Sequence, residues 1–290
     1  MSSNKIRNIL LLLKQYGFTN STLETIYKNE ESILDIIYNK RNPFHNKYFE
    51  IYTEKEKELS IDINPLIVFS REFISKMNEY KSRGIKVFYK YDSDYPSYLF
   101  PKGKEPLFLY SYGNLELLKE NVKKVAIVGT RDSTELGIDK TRNVVNYYVE
   151  RGWVTVSGLA KGIDTIVHEE TINSSGRTIA VLPASFEKIY PAENLNLFNI
   201  IVSNIGLALT TTGPFENTYK SSFLDRNTIV AKMSDEIVVM EASIKSGTLN
   251  TLRQGFKFNK AIYYDNQLLD KEVIKYIQKF NAIEINKKGE

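Results

Sequence analysis

From Lys124 onward the chain repeats one pattern, and that pattern limits the possible folds more than any other feature. Short, continuous apolar runs occur at Val125-Ala126-Ile127-Val128, Trp153-Val154-Thr155-Val156, Thr178-Ile179-Ala180-Val181-Leu182, Leu207-Ala208-Leu209, Ile237-Val238-Val239-Met240 and Ala261-Ile262-Tyr263-Tyr264. Stretches of helical periodicity separate them, at about 137–150, 163–172, 195–202, 223–233 and 248–258. Strands without polar alternation are buried on both faces, and intervening helices are the crossovers that parallel strands require. The pattern predicts a doubly wound, mostly parallel, Rossmann-like α/β sheet over residues 124–268, followed by a C-terminal helix and a loose polar tail over 269–290. Residues 1–84 form a small helical N-terminal domain in this reading. There Ile6, Ile9, Leu10 and Leu13 recur at helical spacing, Gly17 ends the segment, and Asn20-Ser21-Thr22 caps a second helix. The alternating charges of Glu54-Lys55-Glu56-Lys57-Glu58 predict a solvated helix face. Residues 85–123 read as a connecting segment that extends the sheet domain, with strands at 85–89 and 107–110 and a turn and helix at 113–120.

Composition then removes several functions. The 290 residues include no cysteine and only His45 and His168, which excludes a disulfide framework, a thiolate zinc site, a cysteine nucleophile and a histidine-rich metal centre. No apolar run approaches the roughly 18 residues of a membrane span, and Ile9–Leu13 lacks a following small-residue cleavage site. The expected location is cytoplasmic, with no membrane partner. A formal net charge of +4 does not by itself indicate nucleic acid; only a local patch would. No cofactor and no catalytic constellation are predicted. Asp132 and Asp164 are a possible carboxylate pair whose spacing demands neither metal nor acid–base work.

In an open parallel sheet, ligands sit beyond the carboxyl ends of the strands. Three post-strand loops there share a chemistry: Gly129-Thr130-Arg131-Asp132-Ser133, Ser157-Gly158-Leu159-Ala160-Lys161-Gly162-Ile163-Asp164 and Glu241-Ala242-Ser243-Ile244-Lys245-Ser246-Gly247-Thr248. Each joins glycine, hydroxyl residues and a cation just before a helix. Glycine admits close backbone approach, and the free N–H groups of a helix start favour an anion. Arg131, Lys161 and Lys245 add full charge. The same residues also suit a plainer role, with glycines turning the chain and Ser157 and Ser246 capping helices. Three such loops on one edge favour a phosphate-containing ligand. The dinucleotide G-x-G-x-x-G loop and the P-loop are both missing, which disfavours ordinary NAD binding and P-loop hydrolysis.

These stretches resemble the DprA/Smf family of DNA-processing proteins. The likeness is carried by Val125–Arg131, by Ser157–Asp164 with His168, by Thr178–Leu182 and by Tyr190-Pro191-Ala192-Glu193-Asn194. Phe223-Leu224-Asp225-Arg226-Asn227 and Val238–Ala242 with Ser246–Leu249 complete it, and Asp92–Leu99 and Glu105–Tyr110 look like the family's lead-in. The resemblance implies a protein that binds single-stranded DNA, helps load the recombinase RecA in natural transformation, acts as a homodimer and does no established chemistry. It places nucleic-acid contacts at Gly129, Thr130, Arg131, Ser157, Gly158, Lys161, Gly162, Phe223, Arg226, Asn227, Ser246, Gly247 and Thr248, with Asp164, His168 and Glu241 in support. Arginine pairs with phosphate through two bonds, and an aromatic ring stacks a base.

The chain departs from the family pattern in places. The family's Arg-Asn-Arg is Arg226-Asn227-Thr228, its Ser-Glu pair is Thr210-Thr211, and after the last strand Tyr263-Tyr264-Asp265-Asn266-Gln267 replaces a Pro-Gly segment. No C-terminal winged-helix domain fits into the residues that remain. Helical spacing predicts a hydrogen bond between Asp164 and His168 that supports the loop. Glu241 is open between accepting from a base or ribose and orienting the Ser246 loop, Phe223 between core and stacking platform, and Arg226 between phosphate and a salt bridge. Trp153 reads as packing, and Tyr190-Pro191 as a turn at the pocket rim. Two other functions stay open: a nucleotide-derivative sensor or phosphoribohydrolase-like protein of the same Rossmann-like group, and an interaction protein with a vestigial pocket.

Overall fold

Helix α1 (Ser3–Tyr16) forms because its apolar residues gather on one face, where Leu10, Leu11 and Leu13 are buried and Ile6 and Ile9 half-buried. It ends at Gly17, where the N–H groups of Gly17 and Phe18 donate to Leu13 O at 3.1 and 3.0 Å. The computed structural model describes residues 3–29, 32–244 and 246–285. Lys245 and the polar tail at 286–290 lie outside the described residues. Helix α2 (Asn20–Asn29) starts one residue earlier than its sequence suggests: Thr19 Oγ1, not the Asn20 side chain, accepts from Thr22 N–H at 3.2 Å. Short helices α3 (Ile33–Tyr38), α4 (His45–Phe49) and α5 (Glu54–Leu59) follow, then the long α6 (Asn64–Ser82) and strand β1 (Lys86–Tyr89).

The alternating-charge run forms α5, but its face is not wholly solvated. Glu56 is fully buried and accepts from Thr19 N–H at 2.7 Å and Thr53 N–H at 2.8 Å, while Thr53 Oγ1 accepts from Glu56 N–H at 3.2 Å. One carboxylate thus serves the starts of both α2 and α5, which is a capping box with a second client. Alternation of charge in sequence does not show which member of the run turns inward.

The chain divides into two compact units. The first comprises residues 1–95, 106–109 and 213–217. Its core includes Leu10, Leu13, Phe18, Leu23, Ile26, Ile36, Ile37, Tyr48 and Tyr80, all buried. Residues 213–217 belong to it through α1: Gln15 Nε2 donates to Glu216 Oε2 at 2.8 Å, and Phe215 N–H donates to Gln15 Oε1 at 3.1 Å. Strand β1 also belongs here, and Lys90 N–H just beyond it donates to Leu107 O at 2.9 Å.

The second unit, residues 96–105, 110–212 and 218–290, holds the wound sheet. Strand β2 (Phe108–Gly113) enters it at Tyr110. Then come β3 (Lys124–Val128), α7 (Glu135–Val149), β4 (Val154–Ser157), α8 (Ile163–Asn173) and β5 (Thr178–Leu182). Helix α9 (Leu195–Ile200) continues into a π-helical turn at 201–205 before β6 (Leu207–Thr210). The remainder is α10 (Lys220–Met233), β7 (Glu236–Val239), α11 (Thr248–Lys257), β8 (Ala261–Tyr264), α12 (Lys271–Ile277) and a short β9 (Ile283–Glu284).

In this unit the strands lie in the order β2-β6-β5-β4-β3-β7-β8-β9. All neighbours are parallel except β2 and β6, which pair antiparallel with Tyr110 opposite Thr210. Every residue of β3, β4 and β5 is buried, as expected for strands covered on both faces. On one face Val125, Ile127, Val144, Val145, Tyr148, Ile163 and Val167 form a continuous core, with Trp153 packed against it. The chain winds outward from β3 to β6, crosses back to β7 and winds the other way to β9. The reversal falls between the neighbours β3 and β7. Their following loops diverge there, opening a crevice at the carboxyl ends of the strands.

Candidate functional site

The crevice is a pocket of about 380 Å³ at that switch point. The loop after β3 contributes Gly129, Thr130 and Arg131, and the loop after β7 contributes Ser243, Ser246 and Gly247 with Thr248 and Thr251 of α11. The third wall is α10, whose Phe223, Arg226 and Asn227 share a face by their i, i+3, i+4 spacing. Ala160 of the loop after β4 and Asp164 in the first turn of α8 also line it. Arg131 is exposed and makes no ion pair among the described residues. The Phe223 ring is half-exposed. A free guanidinium, an accessible ring and glycine backbone thus converge on one cleft.

The loop after β4 is built differently, because its polar groups are committed to the protein. Ser157 is fully buried and its hydroxyl donates to Ile127 O of β3 at 2.8 Å. The N–H groups of Gly158 and Ala160 donate to Asp164 Oδ2 at 3.1 and 3.4 Å. Asn194 Nδ2 donates to Leu159 O at 3.0 Å and to Thr165 Oγ1 at 2.8 Å. Arg226 Nη1 lies 3.5 Å from Asp164 Oδ2, with both side chains 9% exposed. A β-carbon on Gly158 would fall 1.0 Å from Arg226 Nη1, so only glycine lets this arginine lie flat on the turn. Gly162 has φ of +81°, and a β-carbon there would meet Thr130 O at 2.5 Å, so it too is confined to glycine.

Beneath the pocket His168 is wholly buried. Its Nδ1 is 2.7 Å from Thr178 Oγ1, and its partner is not Asp164, contrary to the helical-spacing expectation. The reason is that Asp164 turns toward the loop amides and Arg226. Burial, with the nearby Arg226 charge adding to it, lowers the His168 pKa to about 3, so the imidazole is neutral. Burial likewise pulls the Arg226 guanidinium below its ordinary value, and Asp164 opposes that shift.

The loop after β7 is stitched to the loop after β3. Thr130 N–H donates to Glu241 O at 2.6 Å, and Thr248 Oγ1 donates to Gly129 O at 2.8 Å. The Glu241 carboxylate accepts from Thr134 N–H at 2.8 Å and Thr134 Oγ1 at 3.2 Å. It therefore holds the first turn of α7, where Thr134 Oγ1 accepts from Gly137 N–H at 3.1 Å. The start of α7 is already supplied with an anion. Ser246 Oγ accepts from Thr248 N–H at 3.1 Å in the turn that leads into α11, whose N-cap is Gly247 and not Ser246. Asn227 Nδ2 approaches Gly247 O at 3.4 Å.

Of the predicted site residues, the fold brings Gly129, Thr130, Arg131, Phe223, Arg226, Asn227, Ser246, Gly247 and Thr248 to the one pocket, with Asp164 beside Arg226. Lys161 and Gly162 line a neighbouring groove that also includes Arg131, Asp132, Pro191 and Asn194. Ser157, Gly158, His168 and Glu241 line neither. Sequence reasoning did not single out Ser243 and Asn194 within the stretches it quoted, and it missed Thr251. Thr251 stands three residues after Thr248 on α11, a spacing that was available to find it; the hold of Asn194 on the Leu159 carbonyl is long-range and left no local mark.

Sheet order, switch point and rim define a Rossmann-like α/β protein with a ligand crevice at the carboxyl edge. The model of the DNA recombination-mediator protein A family matches residues 86–280, and the chain belongs to that family. It is similar to the DNA processing protein DprA of Bacillus subtilis, 33% identical over 184 residues, covering 63% of this chain and 61% of that one. To its counterpart from Streptococcus pneumoniae it is 36% identical over 172 residues, covering 59% and 60%. The chain thus spans about three fifths of the length of these relatives. A solved structure of the Streptococcus pneumoniae protein superposes with TM-score 0.66 at 28% identity, over 97% of this chain and 94% of that one. A Helicobacter pylori DNA processing protein A, described with its single-stranded DNA binding mode, superposes with TM-score 0.60 at 28% identity, over 69% and 90%.

Proposed function

We propose that the chain binds single-stranded DNA in the crevice between the loops after β3 and β7, and that it acts in handing that DNA to the recombinase RecA. One observation carries the DNA reading: the exposed guanidinium of Arg131, unpaired among the described residues, the accessible ring of Phe223 and the glycine backbone of both loops meet in one open cleft. Arg131 pairs with a phosphate, with Thr130 and Gly247 beside it, and Phe223 offers a face to a base. Asn227, Ser246 and Thr248 supply neutral contacts. Arg226 and Asp164 act from below by fixing the turn at Gly158. The single-stranded DNA bound by the Helicobacter pylori relative supports this reading, and the family's description as a recombination mediator supports the handover to RecA. The same reading takes the working form to be a homodimer and the protein to be a binder without catalytic chemistry.

Fluorescence anisotropy of labelled oligo-dT across a salt series tests the proposal. Arg131→Ala should weaken binding about tenfold and lower the log–log salt slope by about 0.7, the contribution of one single-strand phosphate contact. Absence of oligonucleotide binding at low salt, with a nucleotide-like small molecule released from gently purified protein, would overturn it in favour of a small-ligand role. For the handover, RecA ATPase on DNA coated with single-strand-binding protein should start sooner when this protein is added.

A further inference from the structure

The turn between α3 and α4 inverts the usual order of burial. His45 is buried: its Nδ1–H donates to Ile36 O at 2.8 Å, and its ring stacks on Phe49 with centroids 5.5 Å apart. Tyr48 is buried as well. Phe44, which directly precedes His45, is 41% exposed and meets no other ring among the described residues. A polar ring has gone inside while an apolar one is displayed, against the ordinary preference of the two side chains.

The turn that displays it is braced. Asn42 N–H donates to Asn39 O at 2.8 Å, and the Asn39 and Asn42 side-chain carbonyls accept from Arg41 N–H and Phe44 N–H at 3.1 and 2.9 Å. Asp35 of α3 accepts from both amides, from Asn39 Nδ2 at 3.0 Å and from Asn42 Nδ2 at 2.5 Å. Its carboxylate is thus spent on the turn and not on a cation. The next carboxylate in the chain is Glu50, and between the two stand Lys40, Arg41 and Lys47. All three are exposed, and none makes an ion pair among the described residues. Lys47 lies one helical turn beyond Phe44, on the same side of α4.

Unneutralised cations on a fixed turn attract a polyanion. The ring narrows the choice. A duplex keeps its base faces stacked inside, and an acidic peptide has no planar face to offer, whereas a single strand turns its bases outward. We propose that the α3–α4 turn is a second contact for single-stranded nucleic acid, with phosphates on Lys40, Arg41 and Lys47 and one base stacked on Phe44. The site lies wholly within the first unit and shares no residue with the crevice, so it goes beyond the reading of Arg131 and stands or falls apart from it.

Anisotropy of the full chain with labelled oligo-dT of about 25 nucleotides tests the proposal. Lys40→Ala/Arg41→Ala should bind about fivefold or more weakly, with a log–log salt slope lower by about 1.4, the sum of two single-strand phosphate contacts. Phe44→Leu keeps an apolar side chain and loses the ring face. It should bind oligo-dT about fivefold more weakly and an abasic strand of the same length as wild type does. Both variants should keep the wild-type urea midpoint, because the side chains are exposed. If a midpoint falls, Lys47→Ala carries the test, with the slope lower by about 0.7. Wild-type affinity and slope in the Lys40/Arg41 variant, or equal loss on both strands in Phe44→Leu, overturns the proposal. So does polyglutamate binding that the Lys40/Arg41 variant loses while it keeps oligo-dT, because the turn then docks an acidic protein segment. Arg131→Ala in the same assay reports the crevice: a loss there beside unaffected turn variants removes the turn alone, and a loss in the turn variants beside an unaffected Arg131→Ala removes the crevice alone. Absence of binding by the wild type at low salt overturns both.

Discussion

The loops after β3 and after β4 are nearly the same in composition and opposite in construction. Both carry glycine, a hydroxyl residue and a cation just before a helix. In the first, Arg131 projects into solvent with no carboxylate partner among the described residues. In the second, the Ser157 hydroxyl, the Gly158 and Ala160 amides and the Leu159 carbonyl are all taken by protein groups. The lesson is that a glycine-rich turn advertises close approach without saying what approaches. Here one turn is open to a ligand, and the other admits Arg226 as an internal substitute for one. The closed turn then serves as scaffold for the open one, since Gly162 sits within van der Waals reach of the Thr130 and Arg131 carbonyls.

The contrast is broken most severely at Asp164. Asp164→Ala removes the carboxylate that accepts from two loop amides and faces Arg226, leaving a buried guanidinium without its counter-charge. The expected cost is about 3 kcal/mol of stability, read as a lower urea midpoint with unchanged slope. Oligonucleotide binding should fall with it, because the crevice wall moves. Arg131→Ala should leave the same midpoint within about 0.5 kcal/mol of wild type. If Asp164→Ala proved as stable as Arg131→Ala, the second loop would not be the closed scaffold described here.

The sequence made much of this legible. Continuous apolar runs at 125–128, 178–182 and 237–240 located central strands because burial on both faces erases alternation. The three post-strand loops followed from that, and with them the edge on which Arg131, Phe223 and Ser246 meet. What stayed hidden depends on partners far away in the chain. Nothing local marks Glu241 as the anion for α7, or Glu56 as the one member of its charged run that turns inward. The Asp164–His168 spacing was correctly read as one helix face, but Thr178 and the loop amides compete for those side chains and win. The two-residue β9 and the antiparallel seating of β2 on β6 are set by neighbours and have no signature of their own.

A pH series sharpens the comparison, because it reports how dry the closed loop is. His168 stays neutral in the folded protein down to about pH 3, whereas in the unfolded chain it takes up its proton near pH 6.5. Between those values the unfolded chain binds more protons, so stability rises with pH; it is complete above pH 6.5 and falls as the pH drops through the window. By pH 5 the loss from this group is about 2 kcal/mol. His168→Gln keeps a polar atom for Thr178 and has no proton to gain, so the difference between its urea midpoints at pH 7.5 and pH 5 should shrink by that amount. Equal pH dependence in variant and wild type would mean that water reaches the imidazole.

The smallest effect separates the two loops most cleanly. Ser157→Ala removes a buried hydroxyl whose bond to Ile127 O ties β4 to β3 below the rim. The expected cost is about 1 kcal/mol of stability, the net worth of one satisfied internal hydrogen bond. Because the hydroxyl is wholly buried, no phosphate replaces that partner, and the salt slope for oligo-dT should match wild type. A reduced slope at full stability would show instead that Ser157 leaves Ile127 to meet the strand. In that case the two loops would be alike in function as well as in composition, and the closed turn would be a resting state of a second phosphate site.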